Sequence, residues 1–295
     1  MPRAEVDVDV TLVRGLLADQ APQWAGLPLH EVARGWDNAI FRLGADLAVR
    51  VPLRALAAPL IVHEARWLPV LAPVVPVAVP VPRLVGGPAL GYPWRWSVVP
   101  WVEGRVLAEV PVAERTPYAA ELAEALVALH RPAPEGFPPN PYRGVALSDR
   151  AETRRPDWLA LARAHGAGVV EALAAAWERG YTAPAWPGPP LWLHGDPHPL
   201  NVVVDGGAIA GLIDFGDLTA GDPASDLATA WLSFDAVGRR ILRTRVDTAG
   251  VVDPAVWDRA GAWAAAIAAA LLESEGAGAE LRVVARHTAE QLAAD

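Results

Sequence analysis

Residues 191 to 217 read LWLHGDPHPLNVVVDGGAIAGLIDFGD, and no other stretch limits so tightly the folds open to this chain. Two apolar runs meet at Gly206-Gly207, which predicts a tight β-hairpin because paired glycines supply the positive φ angles of a two-residue turn. With that turn Asp205 faces Ala208 and Asn201 faces Leu212. Side chains alternate along a strand, so Asn201 and Asp214 are expected on one face as diagonal neighbours. A turn at Asp205-Gly206 sets Asn201 opposite Ala210 instead and keeps the shared face. An amide oxygen beside a carboxylate suits a hard cation such as Mg2+, which keeps waters and takes few protein ligands when it also holds a phosphate. Asp196, on the loop leaving LWL, is placed beside this pair without belonging to it, where it receives or orients the proton of an attacking hydroxyl.

The hairpin sits in a chain of 295 residues, enough for one large domain or two lobes. Upstream, AIFRL and LAVRV flank GAD and predict a second hairpin. Residues 60–67 read as helix, started by Pro59 and disturbed at Pro69. PVVPVAVPVP is extended linker or edge strand, and WRWSVVPWV is a β-rich run ending near Gly104. From Val112 the periodicity becomes helical: in ELAEALVALH, Leu122, Leu126 and Leu129 share a face. Further helices are expected at 149–179, 224–246, 254–274 and 277–292, with proline-rich loops at 132–141 and 183–190. The expected fold is α+β, a small β-rich lobe over residues 1–102 and a larger helical lobe over 103–295.

Apolar residues make up 53% of the chain and charged residues 20%, the range of soluble globular proteins. The longest apolar run, 260–272, is too short to cross a bilayer, and MPRAEVDVDV alternates charge with valine unlike a signal peptide. The expected location is the cytoplasm, with no membrane partner. The absence of cysteine excludes disulfides, thiolate catalysis and Cys-ligated zinc. There is no lysine either, so every fixed positive side chain is arginine; GC-rich coding accounts for this more simply than function. The net charge of −9 is uneven: residues 1–102 carry nine Arg and eight acids, residues 103–295 sixteen Arg and twenty-six acids. No basic stripe exists to neutralise phosphates, so nucleic acid is not an expected partner.

HGDPHPLN stands where protein kinases carry H-R-D-L-x-x-x-N, and DFG is intact at Asp214 to Gly216. H-G-D-x-H-x-x-N followed by I-D-F-G-D and GDPASDLA resembles more closely the aminoglycoside phosphotransferase family, kinase-like enzymes that phosphorylate antibiotics and other small molecules. The resemblance spans most of the chain and implies a bilobal protein-kinase-like fold, with the nucleotide on the N-terminal lobe and the acceptor on the helical one. It implies that Asp196 is the catalytic base, that Asn201 and Asp214 hold Mg2+, and that Asp226 braces the catalytic loop from behind. The nucleotide it implies is ATP, with GTP as the alternative. The acceptor is a small-molecule hydroxyl, on an aminoglycoside, a macrolide, a nucleoside antibiotic or a metabolite such as choline or homoserine.

Kinases pair a strand lysine with a helix glutamate at the nucleotide phosphates. Here LAVRV offers Arg50 and VHEARW offers Glu64; arginine binds carboxylate or phosphate bidentately, so the replacement is chemically workable. The alternative is that Arg50 is a solvated strand charge. GWDNAIF retains only Gly35 of a glycine-rich loop, with Asn38 as a backbone-turn or phosphate contact. At the hinge, SVVPWVEG offers the Pro100 carbonyl and the Val102 N–H to an adenine edge. The acid excess of the helical lobe, with Asp149, Asp157, Asp235, Glu273 and Glu275 in its helices, favours a cationic acceptor. Trp158, Trp231, Trp257 and Trp263 lie in the same lobe and would suit a macrolide or nucleoside. Two other functions stay open: a zinc hydrolase chelating through His194, Asp196 and His198, and a non-catalytic pseudokinase-like binding protein.

Overall fold

The computed structural model describes residues 4–274 and 276–295, with side chains at all of these except 151–154. Glu275 therefore lies outside the described residues. The chain divides into two compact units. One ends at Glu103 and omits Val75–Val77, which belong with the second unit, Gly104–Asp295.

The first unit is an antiparallel sheet in the order β1-β2-β3-β5-β4. Its strands are β1 (Leu29–Arg34), β2 (Asn38–Leu43), β3 (Leu47–Pro52), β4 (Leu84–Gly86) and β5 (Trp96–Pro100). The expected hairpin is β2–β3, which sets Leu43 opposite Leu47. Alternation gives the sheet two chemically different faces. Ala39, Phe41, Leu43, Val49, Val51, Trp96 and Val98 form one core with Val13, Leu16 and Leu17 of helix α1 (Val10–Gln20). Asp9 starts that helix by accepting the Leu12 N–H at 2.8 Å. The other face carries Asn38, Ile40, Ala48, Arg50, Ser97 and Val99, aligned by the strand register. Helix α2 (Ala58–Leu71) brings Glu64 to Arg50 on this side. It runs through Pro69, where a break was expected. Proline costs the helix one N–H, but burial of Ile61, Glu64, Leu68 and Leu71 along a single stripe holds the last turn in place. The proline-rich stretch after α2 runs as linker into β4.

The second unit holds two small sheets and most of the helices. β6 (Arg105–Val106), β8 (Val202–Asp205) and β9 (Ala208–Leu212) form one sheet, while β7 (Leu191–Leu193) pairs with β10 (Thr219–Gly221). Helix α3 (Ala119–Leu129) buries Leu122, Leu126 and Leu129 as its periodicity requires. The stretch expected as one helix over 149–179 is instead three: α4 (Leu147–Arg154), α5 (Trp158–His165) and α6 (Ala167–Thr182). Pro156 cannot donate to a continuing helix, Asp157 restarts it by accepting the Ala160 N–H at 2.9 Å, and Gly166, at φ 93°, ends α5. The stretch 224–246 likewise divides into α7 (Ala224–Leu227), α8 (Thr229–Ser233) and α9 (Ala236–Ala249). Asp235 caps α9 through the N–H groups of Val237 and Gly238. α10 (Val256–Glu273) is buried along most of its length and packs with α6 and α11 (Ala279–Ala293). No helix among the described residues is long and apolar enough to cross a membrane.

The β8–β9 hairpin turns at Gly206-Gly207 and pairs Asp205 with Ala208, as its sequence predicts. A bulge then shifts the register between Val203 and Val204, so Val202, not Asn201, faces Leu212. The parity that was to place Asn201 and Asp214 on one strand face is lost, because one extra residue on β9 reverses the alternation beyond it.

Candidate active site

Asp214 lies beyond the end of β9, at φ 60° and ψ 69°, a left-handed conformation uncommon outside glycine. It and Asn201 sit on adjoining segments for a different reason than strand parity: the Ile213 N–H donates to the Asn201 carbonyl at 2.9 Å. The loop between β7 and β8 is held from behind. Asp226, fully buried on α7, accepts the N–H groups of His194 and Gly195 at 2.8 and 2.9 Å and meets His130 Nε2 at 3.2 Å. The Thr229 hydroxyl donates to the Pro197 carbonyl at 2.6 Å. Gly195, at φ 92°, lies so close to Asp217 that a Cβ would stand 2.1 Å from the Asp217 carbonyl oxygen, so only glycine fits.

His194 bridges the loop to the DFG segment. Its Nδ1 accepts the Asp196 N–H at 3.3 Å, which leaves the proton on Nε2 to donate to the Ile213 carbonyl at 3.0 Å, and its ring lies against Phe215. Burial pushes its pKa below the ordinary imidazole value, against the pull of Asp226, Asp196 and Asp214. Both nitrogens are thus engaged with backbone, which removes His194 as a zinc ligand. No three metal-binding side chains converge among the described residues.

Asp196, the candidate base, is surrounded by charge. Burial alone would raise its pKa, but Arg143, then His198 and His194, outweigh that and hold the carboxyl below its usual range. Arg143 Nη2 meets Oδ1 at 3.1 Å, and His198 Nε2 lies 3.5 Å from Oδ2. Asn201 donates its amide N–H to the Asp196 carbonyl at 3.0 Å, so its Oδ1 is the end left to face a cation. With the Asp214 carboxylate this makes an all-oxygen donor set, which fits Mg2+. Asp217 also meets Arg143, at 3.6 Å, and takes a hydrogen bond from Asn140 at 2.9 Å. Burial, with the charge of Asp196, pushes its carboxyl pKa up despite Arg143. Arg143, Asn140 and His130 escaped sequence reasoning. The two former lie in an aperiodic proline-rich loop, and no spacing ties any of them to HGD.

The first unit gathers its own candidates. Arg50 is 6% exposed and ion-paired to Glu64, itself 1% exposed, which rules out a solvated strand charge. Asn38 opens β2 on the same face; it is buried, and its Oδ1 has no hydrogen-bond partner among the described residues. The Ser97 hydroxyl, on the neighbouring strand, is orphaned in the same way. At the end of β5, the Trp101 N–H donates to the Asp46 carbonyl, and Pro100 faces Leu47. Carbonyls alternate along a strand, so that of Pro100 points away from β3, past the end of β4. Val102 follows outside the strand.

Several residues considered for the acceptor have structural work. Asp157 and Asp235 cap helices, and Glu273 accepts the Asp157 N–H. Trp231, Trp257 and Trp263 are buried, and Trp158 stacks edge-on against Trp177.

No curated protein matches by sequence. Among solved structures, the GDP and kanamycin complex of APH(2")-IIia superposes with a TM-score of 0.67 at 19% identity, over 95% of this chain and 97% of that one. The apoenzyme of macrolide 2'-phosphotransferase MphH from Brachybacterium faecium gives a TM-score of 0.60 at 22% identity, over 95% and 97%. The streptomycin-ATP ternary complex of APH(2")-IIa gives 0.58 at 17% identity, over 92% of each chain. These likenesses establish the α+β kinase-like fold. Matched over residues 28–273 by the model of the phosphotransferase enzyme family, APH, the chain belongs to that family and is a phosphotransferase.

Proposed function

We propose that the chain transfers the γ-phosphoryl group of ATP to a hydroxyl of a small molecule, an antibiotic of the aminoglycoside class, and so confers resistance from the cytoplasm. One observation carries this: an ionised Asp196 on a backbone braced by Asp226, with Asn201 tied to the Asp196 carbonyl and Asp214 one residue past the Asn201–Ile213 hydrogen bond. The first unit binds the nucleotide, Arg50 and Glu64 at the phosphates, Asn38 at the β1–β2 loop, and the Pro100 carbonyl and Val102 N–H at the base.

Asp196 orients the acceptor hydroxyl. Its low pKa makes it a weak base, so it takes the proton late, once the acceptor oxygen is bonding to phosphorus. That bond forms as the bond from the γ-phosphorus to the β–γ bridging oxygen breaks, ADP leaves, and the hydroxyl proton passes to Asp196. Asn201 and Asp214 would hold Mg2+, which would supply charge neutralisation to the transferring phosphate. The rest is positioning. The complete set of Asp196, Asn201 and Asp214 speaks against a non-catalytic relative.

The test is a panel of aminoglycosides, macrolides, nucleoside antibiotics, choline and homoserine, incubated with ATP or GTP and read for a mass gain of one phosphoryl group. Transfer to an aminoglycoside is expected. Transfer only to a macrolide or a metabolite moves the acceptor class, and no transfer with intact nucleotide binding restores the binding-protein alternative.

A further inference from the structure

We infer that Arg143 is a positioning residue for phosphoryl transfer, one that grips Oδ1 of Asp196 so that Oδ2, with His198 Nε2 3.5 Å away, is the oxygen turned to the acceptor hydroxyl, given that Asp196 is the base proposed above. Arg143 lies on the segment before α4. Its Nε donates to the Gly195 carbonyl at 2.6 Å while Nη2 donates to Asp196 Oδ1 at 3.1 Å. A single planar group thus holds both the backbone and the carboxylate of the loop, and fixes the rotation of one against the other. Nη2 also meets Asp217 Oδ2 at 3.6 Å, and the Asn140 amide holds the second oxygen of Asp217.

The segment is fastened on both sides of Arg143. The Thr219 hydroxyl donates to the Pro138 carbonyl at 2.7 Å, the Asp222 N–H to the Gly144 carbonyl at 2.9 Å, and the Gly144 N–H to the Ser225 hydroxyl at 3.2 Å. The guanidinium therefore comes to Asp196 from a rigid mount. The loop does not need it in order to fold, because Asp226, Thr229 and Asn201 already hold its backbone. What Arg143 adds is the contact to the carboxylate itself, tied to the Gly195 carbonyl through the same guanidinium.

This division of labour predicts which measurements move. Arg143→Met should lower kcat for transfer from Mg·ATP, to water and to kanamycin alike, by roughly 10- to 100-fold, the size of a charge-assisted hydrogen bond. The KM for ATP should stay within about twofold, since the contact is absent from nucleotide binding. Arg143→Lys should restore part of kcat, because the charge returns without the fork. In an Asp196→Asn background, Arg143→Met should change kcat by less than about twofold, because the residue acts through that carboxylate. Losses that add in that background, or a kcat that falls only in step with the melting temperature and is not helped by lysine, would assign Arg143 to the scaffold. If Arg143→Met does not fold, Arg143→Gln carries the same comparison. A wild-type chain that binds Mg·ATP yet transfers to neither water nor any alcohol overturns the base assignment, and the role of Arg143 with it. An active wild type indifferent to Arg143 overturns the latter alone.

Discussion

In the proposed mechanism two residues divide the chemistry between orientation and nucleotide grip. Asp196→Ala should cut turnover by about 10²- to 10⁴-fold and leave nucleotide affinity nearly unchanged, because that mechanism sets the carboxylate against the acceptor and not the phosphates. Calorimetric titration of ATP beside steady-state rates checks both halves, and near-normal turnover would remove Asp196 from the mechanism. Arg50 differs because its pair with Glu64 is buried. Arg50→Ala strands a carboxylate, so a stability loss of about 3–5 kcal/mol should accompany weaker nucleotide use. Arg50→Lys should keep the fold and recover only part of the nucleotide affinity. An Arg50→Ala enzyme with unaltered melting temperature and ATP KM would contradict both expectations.

At the scale of elements, what was legible in the sequence was what local chemistry decides. The Gly206-Gly207 turn, the β2–β3 hairpin and the leucine face of α3 follow from turn residues and periodicity alone. The bulge on β9 and the divisions near Asp157 and Asp235 did not show, because apolar periodicity runs across them while a cap or an extra residue resets the chain. The contact of Arg143 with Asp196 was beyond reach for another reason: it joins segments more than 50 residues apart through a loop with no period. A second long-range tie is testable by pH. Arg259 of α10 bonds Asp222, in the turn before α7, and Asp253, in the turn before α10. Burial would raise the Asp253 carboxyl pKa, but the Arg259 hydrogen bond and charge outweigh it and hold the group below its ordinary value. A lowered carboxylate pKa gives stability that is complete above the ordinary value and lost as pH falls through the lowered one. Asp253→Asn should therefore reduce the melting temperature at pH 7, and its deficit against the wild type should close in acid, below about pH 4. A deficit independent of pH would mean that the pair contributes through shape and not charge.

For the molecule as a whole, the excess of acids beyond residue 102 bears on what it captures. Some of these acids cap helices or brace the loop, yet the surplus still favours a cation. With a polycationic acceptor, kcat/KM should fall steeply between low and physiological ionic strength, where screening shortens the reach of exposed charges to about 8 Å. A neutral preferred acceptor with salt-independent kcat/KM would displace the aminoglycoside and leave the phosphotransferase in place. The absence of lysine, filled at Arg50 by a buried arginine, also determines how this protein can be found among others. Acyl-phosphate nucleotides tag ATP sites by acylating a side-chain amine, and a chain with no lysine offers none anywhere. Its guanidinium stays protonated at every pH at which the protein folds and does not act as a nucleophile. A survey of a proteome by such reagents would pass over this enzyme even at full nucleotide occupancy, and only a photochemical or reversible probe would register it.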